Sequence, residues 1–193
     1  MKLRFLTGLA LAATLAGCGI NSVPTAEENA KAKWANVQAD YQRRADLVPN
    51  LVETVKGYAA QEKDVLTQVT EARAKATSVQ VSAEDLSDPA KVAQFQQAQG
   101  ALSGSLGRLL ATVEAYPELK SNENFLALQS QLEGTENRIN VSIKDYNEAV
   151  QSYNTTIRTF PDLIGAKIIH GAKPMTPYQA QPGSEQAPKV NFG

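Results

Sequence analysis

Apolar side chains recur every seven residues along most of this chain. From Ala30 onward one heptad position, with a partner position three residues later, forms an apolar stripe along one helical face. The first position holds Trp34, Tyr41, Val48, Val55, Glu62, Val69 and Ala76, and its partner holds Val37, Arg44, Leu51, Tyr58, Val65 and Ala72. Only Glu62 and Arg44 interrupt this stripe. The pattern predicts helical structure over residues 27–77.

Pro49 lies inside this run and allows two interpretations. A proline within a helix costs about 3 kcal/mol, whereas each buried apolar side chain contributes about 1.5–3 kcal/mol. The heptad phase is the same on both sides of Pro49, which favours a kinked helix. An unbroken helix of that length would measure about 75 Å, far longer than the next one. A chain reversal at Pro49, which gives two matched halves, is therefore the alternative.

A second helix is predicted after a polar connection at residues 77–87. Asp88 can cap free amides and Pro89 suits the first helical position. The apolar positions that follow are Val92, Phe95, Leu102, Leu106, Leu109, Val113 and Tyr116. Gln99 interrupts this stripe, and Tyr116-Pro117 ends the helix because a residue before proline avoids helical geometry.

Three glycines, Gly100, Gly104 and Gly107, lie within this second helix. Each costs about 1 kcal/mol relative to alanine at a helical position. Close approach of a neighbouring helix would compensate for that cost, and local flexibility is the competing interpretation.

The third helix begins near Ser121 and ends at Phe160-Pro161. One heptad position holds Phe125, Leu132, Ile139, Tyr146, Tyr153 and Phe160. With short connections, these segments predict an all-α protein, an antiparallel up-and-down bundle of three to four long helices with the first kinked or broken at Pro49. Residues 162–193 are expected to form one short apolar turn and then a Pro-rich, disordered tail.

The N-terminus has the layout of a bacterial lipoprotein signal. Lys2 and Arg4 precede an apolar run of about a dozen residues, too short to span a bilayer. The run ends in the lipobox Leu15, Ala16, Gly17 and Cys18. This arrangement predicts a signal peptide at 1–17, a lipid attached to Cys18, a tether at 18–29 and a bundle at 30–161. In a diderm bacterium, Gly19 after the cysteine favours the outer membrane, facing the periplasm.

Composition narrows the classes of function. Lys plus Arg number 19 against 20 Asp plus Glu, without a basic cluster, so nucleic-acid binding is not expected. The single cysteine excludes an intramolecular disulfide. The only histidine, His170, lies outside the periodic helices and is interpreted as a surface residue. No phosphate-binding loop or Glu-x-x-His pair is found. The sequence therefore predicts no cofactor, no metal site and no enzymatic activity.

Polar and aromatic residues on the helices carry the remaining hypotheses. Asn140, Asn147 and Asn154 recur every seven residues and form either an inter-helix ladder or a solvated face. The tyrosines on the stripes are either core residues with hydroxyls at the rim or the lining of a ligand groove. The candidates for contacts between helices or with a partner are Arg44, Asn50, Asn147, Tyr153, Asn154 and Arg158.

Three segments together resemble the LemA family of bacterial membrane-attached proteins. They are Arg43–Val52, Tyr116–Phe125, and Tyr146–Val150 with Tyr153-Asn154 and Arg158–Pro161. The resemblance covers residues 30–161 and implies a four-helix-type bundle held at a membrane surface, without established catalytic residues. Family members usually carry a transmembrane segment at the N-terminus, where this chain has a lipobox.

The sequence thus predicts a non-enzymatic, lipid-anchored protein of the cell envelope. Its expected partners are the membrane, through Cys18, and an envelope protein that the sequence does not identify. The alternative is a periplasmic carrier that holds an apolar small ligand inside the bundle.

Overall fold

The computed structural model describes residues 18–179 of the 193-residue chain. In that range the regular structure is helical and contains no strand, which confirms the all-α class. The elements are α1 (Cys18–Lys56), α2 (Lys63–Ser78), a 3-10 turn (Glu84–Ser87), α3 (Pro89–Val113), α4 (Pro117–Lys120), α5 (Glu123–Thr156) and α6 (Asp162–Ile168). The predicted signal peptide, including Leu15, Ala16 and Gly17, lies outside the described residues.

The chain divides into two compact units. Unit 1 comprises the residues up to Asp40, Ser82–Pro89 and Asn137–Pro177, and unit 2 comprises Tyr41–Val81, Ala90–Glu136 and the residues from Tyr178. The helices α1 and α5 therefore contribute one part of their length to each unit. Connection Ser82–Pro89 and helix α6 belong to unit 1, and helices α2 and α4 belong to unit 2.

Of the two interpretations of Pro49, a chain reversal is wrong, because α1 continues through this residue to Lys56. Proline lacks the N–H that would bond to the carbonyl four residues earlier. For Pro49 that carbonyl belongs to Ala45, and the Arg73 Nε donates a hydrogen bond to it at 2.8 Å. Pro49 itself is exposed. The helix is continuous because another element supplies the missing bond.

The chain reverses instead at residues 57–62. Val48, Leu51 and Val55 are buried on α1, but the next stripe member, Tyr58, is 43 % exposed. The amides of Tyr58 and Ala59 both donate to the Val55 carbonyl, which closes the end of the helix. The heptad pattern runs through this non-helical connection only because the apolar positions of α1 and α2 happen to have the same seven-residue phase.

Unit 2 is built around an aliphatic core shared by α1, α2, α3, α4 and α5. Its largest buried members are Val48, Leu51, Val55, Leu66, Val69, Leu102, Leu106, Leu109, Val113, Leu119, Phe125 and Leu132. Unit 1 has a more aromatic core around Trp34, which is 1 % exposed and lies 5.1 Å from the Tyr146 ring.

Two segments differ from their predicted character. Residues 18–29, expected as a tether, belong to α1, and Val23 within them is fully buried. Residues 171–179, which were expected to be disordered, form a non-helical segment in which Met175 is buried. Composition missed both because each segment is fixed by contacts with distant residues rather than by its own propensity.

The glycines of α3 have open space beside them. A Cβ atom added at Gly104 or Gly107 would meet nothing within 4 Å. The interpretation that these glycines permit close helix approach is therefore wrong at both positions.

Candidate functional site

A groove on unit 1 holds the chain's own segment Lys173–Thr176 and is called here the tail groove. Its side chains come from α5, where Tyr146 and Tyr153 are seven residues apart and Asn154 directly follows Tyr153. Its opposite edge is Leu86 of the 3-10 turn. Both tyrosines are almost fully buried, so their rings form core while their hydroxyls reach the rim.

Among the described residues, five hydrogen bonds join the segment's main chain to α5 and to the 3-10 turn. The amide of Asn154 donates to the Met175 carbonyl at 2.8 Å, and its oxygen accepts the Met175 N–H at 2.9 Å. The Tyr146 hydroxyl donates to the Thr176 carbonyl at 2.8 Å and the Tyr153 hydroxyl to the Lys173 carbonyl at 3.0 Å. The Thr176 N–H donates to the Leu86 carbonyl at 2.8 Å. Asn154 thus pairs with Met175 much as a neighbouring strand would.

Burial raises the pKa of both Tyr146 and Tyr153 above the ordinary value for tyrosine. Desolvation disfavours the charged phenolate, which explains the direction. Both hydroxyls therefore remain protonated donors toward the carbonyls of the segment across the physiological pH range.

A cavity of about 200 Å³ lies beside the segment. Its charged lining includes Glu27, Lys31, Glu84 and Lys173. Lys31 pairs with Glu27 at 2.8 Å and with Glu28 at 3.0 Å, and these hydrogen bonds raise the lysine pKa. The tail groove thus has a cavity beside it, and charged side chains of both signs line that cavity.

A second feature, in unit 2, is the buried guanidinium of Arg44. Its Nη2 donates to the backbone and side-chain oxygens of Gln99, each at 3.0 Å. Its Nη1 donates to the Ser103 hydroxyl at 2.6 Å and to Glu136 at 3.3 Å. Two of the three residues that interrupt the apolar stripes, Arg44 and Gln99, therefore bind each other.

The aromatic ring of Tyr41 lies over this guanidinium. The Tyr41 ring centroid lies 4.8 Å from the Arg44 guanidinium carbon, and Tyr41 packs edge-on against Phe95. The hydroxyl groups of Tyr41 and Tyr178 are hydrogen-bonded, and burial raises the pKa of each tyrosine.

A cavity of about 240 Å³ adjoins Arg44 within unit 2. Its lining consists of Arg44, Ser103, Leu106, Gly107, Leu110, Gln129, Leu132, Glu133 and Glu136. Among the described residues, the buried Nε of Arg44 has no hydrogen-bond partner. An apolar cavity of about 150 Å³ can bind benzene, so this space suffices for a small ligand.

The remaining candidates occupy less informative positions. Asn50 is exposed on α1, where its carbonyl accepts a bond from the Thr54 hydroxyl, and Arg158 is exposed just after α5. Asn147 is half-buried and Asn140 is exposed, so the three asparagines do not share one environment. Cys18 begins α1.

Sequence reasoning missed the groove's occupant and the role of Gln99. A weak signal existed for the first, because Met175 is an isolated apolar residue between two prolines. His170 is exposed, and its Nε2 contacts the Ile20 carbonyl at 3.1 Å. That carbonyl is the one that Pro24 leaves without a helical partner.

The described residues contain neither a metal-binding cluster nor a membrane-spanning helix. From residue 18 to 179, no three His, Cys, Asp or Glu side chains are grouped so as to hold a metal ion. No helix in the same range combines the length and hydropathy needed to cross a bilayer.

Comparison with known proteins identifies relatives along most of the chain. The magnetosome proteins MamQ 1 and MamQ 2 of Paramagnetospirillum magneticum are each 28 % identical over 177 residues, which cover 83 % of this chain and 65 % of theirs. Protein LemA of Metamycoplasma hominis is 27 % identical over 125 residues, which cover 64 % of this chain and 52 % of that protein. The chain thus spans just under two thirds of the length of the MamQ relatives.

The family model described as "LemA family" matches residues 33–192. The match confirms the family indicated by the three sequence motifs and extends beyond Pro161 through the segment that occupies the tail groove. This chain belongs to the LemA family.

Proposed function

We propose that this protein is a non-enzymatic, lipid-anchored cell-envelope protein that binds an extended segment of an envelope partner. In a diderm source its location would be the outer membrane, facing the periplasm. The observation that carries the proposal is the tail groove, where Tyr146, Tyr153 and Asn154 hold an extended chain by its backbone.

Recognition through the main chain makes the groove tolerant of sequence. All five hydrogen bonds go to N–H and C=O groups of the segment, and only Met175 inserts a buried side chain. Any extended segment with a medium-sized apolar residue at the central position could form the same bonds. The chain's own segment then acts as an intramolecular competitor, which lowers partner affinity until it is displaced.

The test separates the groove from its occupant. Met175→Asp releases the segment but leaves the three groove side chains unchanged. A photo-crosslinker is placed at Glu84, which is exposed beside the groove. In intact cells we expect Met175→Asp to raise the yield of a specific crosslinked envelope protein several-fold.

Adding Asn154→Ala to Met175→Asp should abolish that crosslink, because the partner loses its pair of amide bonds. Asn140→Ala is the matched control, since Asn140 is an exposed asparagine two heptads earlier on the same helix. Crosslinking that is unaffected by both Met175→Asp and Asn154→Ala would rule out the groove as the binding site.

Lipid attachment at Cys18 is a separate part of the proposal. The lipobox supports it, and two or more acyl chains are needed for firm anchoring because a single chain binds reversibly. Mass spectrometry of the mature N-terminal peptide should show an acylated cysteine, and Cys18→Ser should move the protein out of the membrane fraction. A mature N-terminus with a free thiol would contradict it.

The antiparallel up-and-down arrangement is also part of the proposal. Within unit 2 it is supported by the Arg73–Ala45 hydrogen bond together with the 57–62 connection between the other ends of α1 and α2. A kink at Pro49 stays a prediction.

A second candidate function, a carrier of a small apolar ligand, is favoured by the cavity beside Arg44. Gly107→Leu would fill this cavity, whereas Gly104→Leu is the matched control because Gly104 does not line it. Native mass spectrometry should find a bound molecule in the wild type and the control but not in Gly107→Leu. Absence of any such molecule from wild-type protein would eliminate the carrier.

A further inference from the structure

Two of the three large apolar side chains of helix α6, Ile164 and Ile168, are exposed, and the third, Leu163, is half-buried. Gly165 and Ala166 are its buried residues, whereas Ile164 and Ile168 are exposed, the latter by 79 %. An amphipathic helix on a water-soluble domain normally buries its large apolar residues and exposes polar ones. In α6 that arrangement is inverted.

Exposed apolar residues also precede and follow this helix. The apolar face consists of Ile20, Phe160, Ile164, Ile168 and Ile169, all of them exposed and all in unit 1. Two contacts tie the first turn of α1 to α6 and the residues after it. The Ser22 hydroxyl donates to Asp162 at 2.6 Å, and the His170 imidazole contacts the Ile20 carbonyl at 3.1 Å. Ile20 is therefore held at the same end of unit 1 as the α6 residues.

The position of Cys18 favours the lipid bilayer as the surface that covers this face. Cys18 lies two residues before Ile20 in α1, a rise of about 3 Å, so a lipid attached to this residue would hold the same end of unit 1 at the bilayer. Arg158, Lys167 and Lys173 are exposed and lie close in sequence to the residues of this face. Basic side chains near an apolar face favour anionic headgroups. The nearby carboxylate of Asp162 is engaged by Ser22.

We propose that the apolar face of unit 1 lies in the interfacial layer of the lipid bilayer, with Ile164 and Ile168 inserted between the headgroups. The choice of the bilayer as the occupant rests on the proposed lipid attachment at Cys18. The anchor and the face then form two adjacent membrane contacts, which fix the orientation of unit 1 on the surface instead of leaving it free on a flexible link. A protein partner on this face is the alternative that the experiment must distinguish.

The test uses residues 18–193 with Cys18→Ser, which retains every contact described above and contains no other cysteine. A single cysteine introduced by Ile168→Cys carries an environment-sensitive fluorophore. Val141→Cys is the matched control, because Val141 is an apolar residue of unit 1 on α5 that is 61 % exposed. The vesicles contain phosphatidylethanolamine and phosphatidylglycerol in equal parts.

With excess vesicles we expect a blue-shifted emission from position 168 and an unchanged emission from position 141. Ile164→Ser together with Ile168→Ser should weaken vesicle binding at least about tenfold, since burial of each isoleucine contributes to partitioning. Val141→Ser should have no effect. Because these residues are exposed, none of the substitutions should unfold the protein.

An unchanged emission from position 168 at saturating lipid would overturn the proposal, even if mass spectrometry finds Cys18 acylated. Conversely, a blue shift at position 168 with an unacylated Cys18 would support the face and refute the anchor. Photo-crosslinking from position 168 to a protein in cell membranes, without a response to protein-free vesicles, would assign the face to a protein partner and overturn the proposal.

Discussion

The guanidinium of Arg73 on α2 donates a hydrogen bond to the carbonyl of Ala45 on α1 at 2.8 Å. Ala45 is buried, and Pro49 cannot supply the helical N–H that this oxygen would otherwise accept. At the start of α1, the His170 imidazole contacts the Ile20 carbonyl, four residues before Pro24. Each of the two prolines inside α1 leaves one carbonyl without its helical N–H donor. In both cases that carbonyl contacts a side chain from another part of its own unit.

We expect Arg73→Met to lower the free energy of unfolding by about 1–3 kcal/mol, because a buried carbonyl loses its charged donor. In a Pro49→Ala background, the restored N–H satisfies Ala45, and the same substitution should cost less than about 0.5 kcal/mol. Chemical denaturation of the four proteins of this cycle measures the coupling. Arg108→Met is the control, since the exposed Arg108 side chain donates a hydrogen bond to the exposed side chain of Gln68 and not to a buried carbonyl. If Arg73→Met lowers the free energy of unfolding equally in both backgrounds, the Arg73 bond does not replace the one that Pro49 removes.

The Arg44–Gln99 pair predicts a different kind of coupling. Gln99→Leu removes an acceptor from a guanidinium that is 2 % exposed, and it removes the donor to the Ala76 carbonyl. We expect a loss of about 2–4 kcal/mol. Adding Arg44→Met should recover part of that loss, because two apolar residues leave no charge buried without partners. Urea denaturation checks this, and additive losses would contradict it.

Asn154→Ala should release the tail groove's own segment. The amides of Met175 and Thr176 are protected by bonds to Asn154 and Leu86, respectively. Hydrogen–deuterium exchange of a peptide containing Met175 should accelerate at least about tenfold in the variant, as expected for a locally opened segment. Asn140→Ala should leave that exchange unchanged. Equal protection in all three proteins would mean that the Asn154 side chain is not needed to hold the segment.

Stability should fall at alkaline pH because of the buried tyrosines. Burial raises the pKa of Tyr41 and of Tyr146 in the folded protein, while an unfolded chain ionises its tyrosines near pH 10, roughly the ordinary value. Above that pH the unfolded state binds fewer protons, so the free energy of unfolding decreases as pH rises. Below about pH 10 the contribution is fully present.

The fluorescence of Trp34, the single tryptophan, reports this transition because the indole packs on Tyr146. The denaturant concentration at the midpoint of unfolding should decrease as the pH is raised from 9 to 11, values that bracket the ordinary tyrosine pKa of about 10. Tyr41→Phe with Tyr146→Phe should flatten that fall, since phenylalanine does not titrate. An identical slope in the double variant would exclude these two tyrosines as the cause.

The open space beside the α3 glycines makes them sites of stabilisation. Gly104→Ala and Gly107→Ala should each raise the free energy of unfolding by about 0.5–1 kcal/mol, because alanine loses less backbone entropy in a helix. Thermal denaturation measures the change. A loss of stability in either variant would indicate that a neighbour approaches these glycines in solution.

Local pattern was sufficient for the helices and insufficient for their ends. The heptad spacing of Val48 and Val55 required helix on both sides of Pro49, and this inference holds. The position of the reversal was missed because the bond that permits helix at Pro49 comes from Arg73, which lies 28 residues after the acceptor residue Ala45. Arg44 and Gln99 were recognised as interruptions of two stripes, but the pattern could not reveal that they bind each other.

By itself, the sequence determined the all-helical class, the apolar faces and the family, since these depend on residue periodicity and on contiguous motifs. Only the tertiary structure decided that Met175 lies in a groove, that Gly107 borders a cavity and that Ile168 faces outward. Those properties depend on which distant side chains meet, and a polar or apolar residue has no fixed role until its neighbours set the balance between hydrogen bonding and burial.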